Sequence, residues 1–164
     1  MLRISKLTDY GTLVMAQMAS APDHVFSAAG LADTLGLAPP TVSKVLKSLA
    51  RHALVKSVRG ARGGYALARP PADIALASII DALEEQPFGL TECSAVAGLC
   101  GIEADCRVRA NWLRINAVVR HALEDVRLTS MAPPLSAADT PRHPAAVPLV
   151  RMPAGAPHAQ ETDR

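Results

Sequence analysis

Ser27-Ala-Ala-Gly-Leu-Ala-Asp-Thr-Leu-Gly-Leu-Ala-Pro-Pro-Thr-Val-Ser-Lys-Val-Leu-Lys-Ser-Leu-Ala-Arg51 holds two short helix patterns and the turn between them. Ser27 is a suitable N-cap for a helix over Ala28 to Leu35, because its side-chain oxygen can accept an otherwise orphaned backbone N–H. Gly36 follows where the chain needs a left-handed residue, and Pro39-Pro40 opens the next helix, to about His52. Two helices joined this tightly predict a helix-turn-helix. In the second of them Val42, Val45, Leu46 and Leu49 recur at the spacing of a buried face. That leaves Thr41, Ser43, Lys44, Lys47, Ser48 and Arg51 outside, the donor types that reach phosphates and base edges in a major groove. A solvated amphipathic helix shows the same pattern, so the flanking segments decide between the two.

Towards the N-terminus, Ser5 caps a predicted helix through Lys6 to Ala19, with Leu7, Tyr10, Val14 and Met18 along one face and Asp9 off it. Towards the C-terminus, Leu54 to Val58 and Tyr65 to Ala68 are short β-prone runs. Arg59-Gly-Ala-Arg-Gly-Gly64 joins them, with the glycines of a tight hairpin tip. A hairpin after a helix-turn-helix is a wing, and Arg59 and Arg62 on it suit a phosphate backbone or a narrow minor groove. The expected partner is a double-stranded DNA operator.

Charge is distributed accordingly. The formal net charge is only +2, yet residues 1–70 carry nine Lys or Arg against three Asp or Glu, and residues 71–130 carry five against nine. A basic half beside an acidic middle fits a polyanion-binding module attached to something else. Aromatic residues make up 3% and apolar residues 49%, so the core must come mainly from aliphatic side chains on helices. The expected fold class is mainly α, a winged helix-turn-helix with a small β-hairpin. No apolar run reaches the roughly 18 residues of a membrane span and no signal peptide opens the chain, which predicts a cytoplasmic protein without a membrane partner.

Beyond the wing, Ile74 to Glu85 reads as a helix with Ile74, Ala77, Ile80 and Leu83 inward, capped by Asp73 and stopped by Pro87. Every cysteine of the protein then falls within one segment, Cys93-x6-Cys100-x5-Cys106. This spacing is wider than the Cys-x2-Cys knuckle of structural zinc and suits a loop wrapping a larger body. Thiolates are the ligands of iron-sulfur clusters, and Arg107 and Arg109 would favour the ionised sulfur. Zinc with a fourth ligand, a metal-free redox thiol set and three unrelated buried cysteines also satisfy this spacing.

From about Asp105 the apolar positions Val108, Trp112, Ile115, Val119, Ala122 and Val126 step by four and three in alternation, a heptad seam. At roughly 1.5 Å per residue such a helix outruns a small domain, so it predicts a homodimer. Residues 131–164 are rich in Pro and Ala without a period and predict a disordered tail, with His143 and His158 as bystanders. The expected organisation is a DNA-binding domain over 1–86, a cysteine loop over 87–106, a dimerisation helix over 107–130 and the tail.

Ser57-Val-Arg-Gly-Ala-Arg-Gly-Gly-Tyr-Ala-Leu-Ala68 resembles the wing signature of the Rrf-type winged-helix regulators, which include IscR, NsrR and RirA. Leu2-Arg-Ile-Ser-Lys-Leu-Thr-Asp-Tyr10 and the three-cysteine loop agree with it, over about residues 1–130. Asn111-Trp-Leu-Arg-Ile-Asn116 and Leu128-Thr-Ser-Met131 are similar to the branch that regulates SUF iron-sulfur assembly genes. The resemblance implies a transcription regulator and not an enzyme, with a 2Fe-2S or 4Fe-4S cluster on Cys93, Cys100 and Cys106. Isc-type members place a histidine three residues after the last cysteine, where this chain has Arg109, a cation with no lone pair to donate. Nsr-type members use an aspartate from the first helix of the partner subunit, and Asp9 matches that position. Glu92, Glu103, Asp105, His121 or a small molecule remain alternatives to it. Ser43 stands where Isc-type relatives carry a glutamate, which implies a different operator. The rival readings are a winged-helix regulator that uses thiols or zinc, and a small electron-transfer protein.

Overall fold

A computed structural model describes residues 4–60, 63–84 and 87–132. Its first helix, α1 (Lys6–Ala19), starts where Ser5 Oγ accepts the Thr8 amide at 3.2 Å. Val14 and Met18 are fully buried, but the centre of the inward face runs through Thr8, Gly11 and Met15, so Leu7 and Tyr10 are only half-buried. A polar residue and a glycine hid this face from the apolar pattern. Thr8 is buried because its hydroxyl has a charged acceptor, Glu84.

The helix-turn-helix forms from the residues expected to form it. Helix α2 (Ala28–Leu35) begins with Ser27 Oγ accepting the Gly30 amide at 2.9 Å and ends at Gly36, whose φ of 64° a β-carbon would penalise. Helix α3 (Pro39–Arg51) follows, and its four apolar positions, Val42, Val45, Leu46 and Leu49, are fully buried. Ser48 corrects the expected outer face. It is buried, and its hydroxyl donates to the Ala82 carbonyl at 2.7 Å. The pattern put it outside because it is polar, whereas its position beside Leu49 turns it towards the core.

Strands β1 (Val55–Val58) and β2 (Gly64–Leu67) pair antiparallel, Val55 opposite Leu67 and Val58 opposite Gly64. A bridge between Phe26 and Tyr65 ties the hairpin to the loop before α2 through two 2.8 Å backbone bonds. Gly64 is required there, because a β-carbon would run into the Phe26 carbonyl. The fold is therefore mainly helical with a two-stranded wing.

Helix α4 (Leu76–Leu83) is shorter than the apolar pattern suggested. Asp73 lies in a preceding 3-10 turn and does not cap it; Ala75 occupies the N-cap position. Ile74 is buried outside the helix, because Ala75 bridges to Arg127 and holds that backbone extended. After the four-residue helix α5 (Glu92–Ala95) and a 3-10 turn at Glu103–Asp105, helix α6 (Arg109–Asp125) runs 17 residues without a buried one. Val126 stands just past its end, so the helical part of the heptad seam stops at Ala122. The chain then returns to the core, where Leu128 is fully buried. No helix among the described residues is long and apolar enough to cross a membrane. Most of the Pro- and Ala-rich tail lies outside the described residues.

Candidate nucleic-acid interface and cysteine loop

Helix α3 projects Lys44 and Lys47 into solvent, with Thr41 and Ser43 half-buried beside them. Lys44 and Lys47 join Arg51, Ser57 and Tyr65 around an open cavity of about 520 Å³ between the helix and the wing. Among the described residues no carboxylate lines it. Ser57 and Tyr65 are cross-strand partners, which puts their side chains on one face of the hairpin. Period-two reading of the wing could have found them. Arg51 is steadied by a bond from Nη2 to Ser48 Oγ at 3.3 Å. Arg59 is exposed at the end of β1, and Arg62 lies outside the described residues. Three cations and two hydroxyls on one concave face supply donors without a competing anion, as a phosphate backbone requires.

All three cysteines are free. Cys100 and Cys106 are half-buried on the wall of an open cavity of about 650 Å³, together with Glu103 and Arg109. Cys93 is buried in α5, its Sγ 3.3 Å from Thr91 Oγ1. Asp9 lines a separate depression with Ile4, Ser5 and Lys6. Among the described residues no group of three or more His, Cys, Asp or Glu is gathered closely enough to hold a metal ion. One chain thus brings two of the proposed ligands to one cavity and leaves Cys93 and Asp9 elsewhere. The donor chemistry, three free thiols on one loop, fits an iron-sulfur cluster in kind.

Glu103 does something the spacing of cysteines could not reveal. Its Oε2 accepts the Gly98 amide at 2.6 Å, and its Oε1 accepts Arg109 Nε and Nη2 at 3.0 and 2.7 Å. The Gly98 amide first, and then Arg109, hold its carboxyl below the ordinary carboxylate value. Glu103 therefore clasps the loop to the start of α6, and it is already engaged as a carboxylate. Asn116 adds a second tie, accepting the Leu90 amide at 3.1 Å. His121 likewise has a partner, Glu124, at 3.1 Å.

On α6, one side meets α4 through Arg120, whose guanidinium forks onto both oxygens of Asp81 at 2.7 Å each. The adjoining side carries Trp112 and Ile115, 39% and 45% exposed, and continues to Val108, 51% exposed at the N-cap just before the helix. Val118, further round, is 69% exposed. A contiguous apolar strip of this kind marks an interaction surface more often than a free one.

Taken with the wing, the helix-turn-helix defines a winged-helix DNA-binding regulator. A family profile described as Rrf2, iron-dependent transcriptional regulator, matches residues 4–134, and the chain belongs to that family. It is 31% identical over 142 residues to BadM of Rhodopseudomonas palustris, named as an HTH-type transcriptional regulator, covering 86% of each chain. Among solved structures it is similar to CymR of B. subtilis, the global cysteine regulator, at 29% identity and TM-score 0.62, over 81% of this chain and all of that one. It is also similar to T. potens IscR, at 29% identity and TM-score 0.60, over 79% and 85% of the two chains. The protein is accordingly a DNA-binding transcriptional regulator of the Rrf2 family.

Proposed function

We propose that the protein acts as a homodimeric, cytoplasmic repressor of SUF-type iron-sulfur assembly genes, sensing iron or redox state through a cluster on its cysteine loop. Cys93, Cys100 and Cys106 would supply three thiolates, and the partner subunit's Asp9 the fourth ligand. The observation that carries this reading is the loop itself: three free thiols, two of them on one cavity wall, clasped by Glu103 to the helix that bears the exposed apolar strip. Bound there, a cluster would supply a group that is lost or altered when iron, oxygen or nitric oxide changes. The separate position of Asp9 supports a ligand contributed across the dimer, since it stands apart from the cysteine cavity of its own chain.

On the DNA side, Lys44, Lys47, Thr41 and Ser43 face the major groove, and Arg59 and Arg62 anchor the wing. Two such units meet half-sites about 34 Å apart, so anything that shifts α6 against α3 changes operator affinity. A second reading is favoured by the separation of Cys93: Cys100 and Cys106 alone would serve a thiol-based regulator without a cluster, as their shared cavity allows.

Anaerobic purification from iron-replete cells distinguishes the two. The cluster reading expects a coloured protein with matching iron and acid-labile sulfide, whose operator binding changes when the cluster is removed. A colourless, iron-free protein that responds to thiol oxidation instead overturns it in favour of the second reading. Asp9→Ala is expected to alter the visible spectrum while leaving the dimer intact; an unchanged spectrum removes Asp9 from the ligand set.

A further inference from the structure

The last turn of α4 touches three other helices through four successive residues. Asp81 receives the Arg120 fork from α6 at 2.7 Å. The Ala82 carbonyl receives the Ser48 hydroxyl from α3, also at 2.7 Å. Leu83 packs against Gly11 of α1 so closely that a β-carbon at Gly11 would collide with it. At Glu84, Oε1 accepts the Ser5 amide at 3.0 Å and the Thr8 hydroxyl at 2.6 Å, both at the start of α1. Thus the helix bearing the apolar strip, the helix facing DNA and the helix bearing Asp9 all converge on residues 81–84.

We infer that Asp81, Ser48 and Glu84 are positioning residues that set the angle of α3 relative to α6 and α1, and that the end of α4 carries displacements between them. The inference rests on the proposed dimer through α6. A helix serving only as core filler could meet its neighbours through apolar side chains, whose contacts are non-directional. Here each neighbour is instead held by a directional bond of 3.0 Å or less, and α4 itself is locked by buried Ile79 and Ile80. Close-packed interiors transmit small shifts because they cannot absorb them. In a dimer joined at α6, the path from Arg120 through Asp81 and Ala82 to Ser48 occurs once in each subunit. Any slack in it is therefore doubled in the distance between the two α3 helices.

The value of these bonds lies in geometry more than in stability. Arg120 and Asp81 are 31% and 41% exposed, where an ion pair contributes little to folding. Losing the pair should leave the fold intact and loosen the register of the reading heads.

The test uses two duplexes: a palindrome that the wild-type protein selects from random double-stranded DNA, and the same duplex with one half-site scrambled. The full-length wild-type protein is expected to be dimeric and to prefer the palindrome. Asp81→Asn is expected to lower the palindrome-to-half-site affinity ratio about tenfold, with half-site affinity within about twofold, because coupled contacts act on the pair and not on each head. Ser48→Ala should act in the same direction, and the double variant should be no worse than the more affected single. Because Ser48→Ala also lowers stability, a charge exchange provides an independent arm: Asp81→Arg and Arg120→Asp each lower the ratio, and together they restore it. Dimeric variants with the wild-type melting profile and an unchanged ratio overturn the inference. A monomeric wild-type protein with no palindrome preference overturns the dimer reading on which it rests.

Discussion

The hydroxyl of Thr8 donates to the Glu84 carboxylate at 2.6 Å, so the first turn of α1 and the end of α4 share one charged acceptor. Burial pulls the Glu84 carboxyl upward, but bonds from Thr8 and Ser5 outweigh it and hold the group below its ordinary value of 4.5. A carboxyl depressed in the folded state stabilises the fold above its unfolded value, and that stabilisation disappears as pH falls through the folded value. As pH falls from above 4.5 through the lowered folded value, the wild-type melting midpoint should therefore fall more steeply than that of Glu84→Gln. Parallel curves for the two proteins would show that the carboxylate is not the group holding α1 to α4.

Ser48 offers a stability test of the buried polar contact. Its partner, the Ala82 carbonyl, lies in the last turn of α4. Ser48→Ala removes this buried donor, a loss of about 0.5–1.5 kcal/mol. Denaturant unfolding should show a lower midpoint at an unchanged slope. A midpoint equal to wild type would mean that the carbonyl finds another donor.

The elements that were legible in the sequence share one property: local chemistry decides them. Ser5, Ser27, Gly36 and Pro39 punctuate helices through their own backbones and caps, and the helix bounds follow. Where a distant residue decides, the pattern misled. Thr8 and Ser48 are buried polar residues because Glu84 and Ala82, 76 and 34 positions away, meet them. Asp73 fails as a cap because Ala75 pairs with Arg127 across the molecule. The same division holds in the candidate sites. Lys44 and Lys47 could be read from helical spacing, whereas Ser57 and Tyr65 share a face that the strand period could give, but that this face meets the lysines depends on the hairpin's folding back on α3. The clasp of Glu103 on Gly98 and Arg109 depends on the loop's path and had no sequence signal.

Ala53 is the one non-glycine residue with positive φ among the described residues, at 53°, where the chain leaves α3. The Leu54 amide reaches back to the Leu49 carbonyl at 3.0 Å, which fixes the left-handed turn. An alanine there carries about 1–2 kcal/mol of steric cost. Glycine relieves it and gives back about 0.5–1 kcal/mol in unfolded-chain entropy. Ala53→Gly should thus raise the melting temperature by a few degrees, and Gly36→Ala, at φ 64°, should lower it. A decrease for Ala53→Gly would refute the left-handed assignment.

Lys44, Lys47 and Arg59 test the DNA face through salt. Each phosphate contact that is lost removes about one unit from the slope of log affinity against log salt, with little change in sequence preference. Lys47→Ala and Arg59→Ala are each expected to do this in equilibrium titrations over a salt series. Arg51→Ala should behave alike, since Arg51 lines the same cavity as both lysines. A residue whose removal leaves slope and affinity unchanged does not touch the backbone.

The apolar strip of α6 makes the last prediction. Trp112 and Ile115 are 39% and 45% exposed, so covering what remains recovers under half of the about 1.5–3 kcal/mol that full burial of a large apolar side chain gives. A second α6 laid along the strip would recover that burial on both sides of a two-fold axis, because an isologous contact uses each residue twice. A carboxylate at Ile115 would then be buried without a partner in each subunit, a cost that packing cannot offset. Ile115→Asp is expected to convert the proposed dimer to a monomer in sedimentation equilibrium, with its helical content retained. Arg114→Asp serves as the control: Arg114 is exposed and lies about a quarter-turn off the strip at 100° per residue, so the same charge there should leave association intact. Equal effects of the two substitutions would place the subunit contact elsewhere.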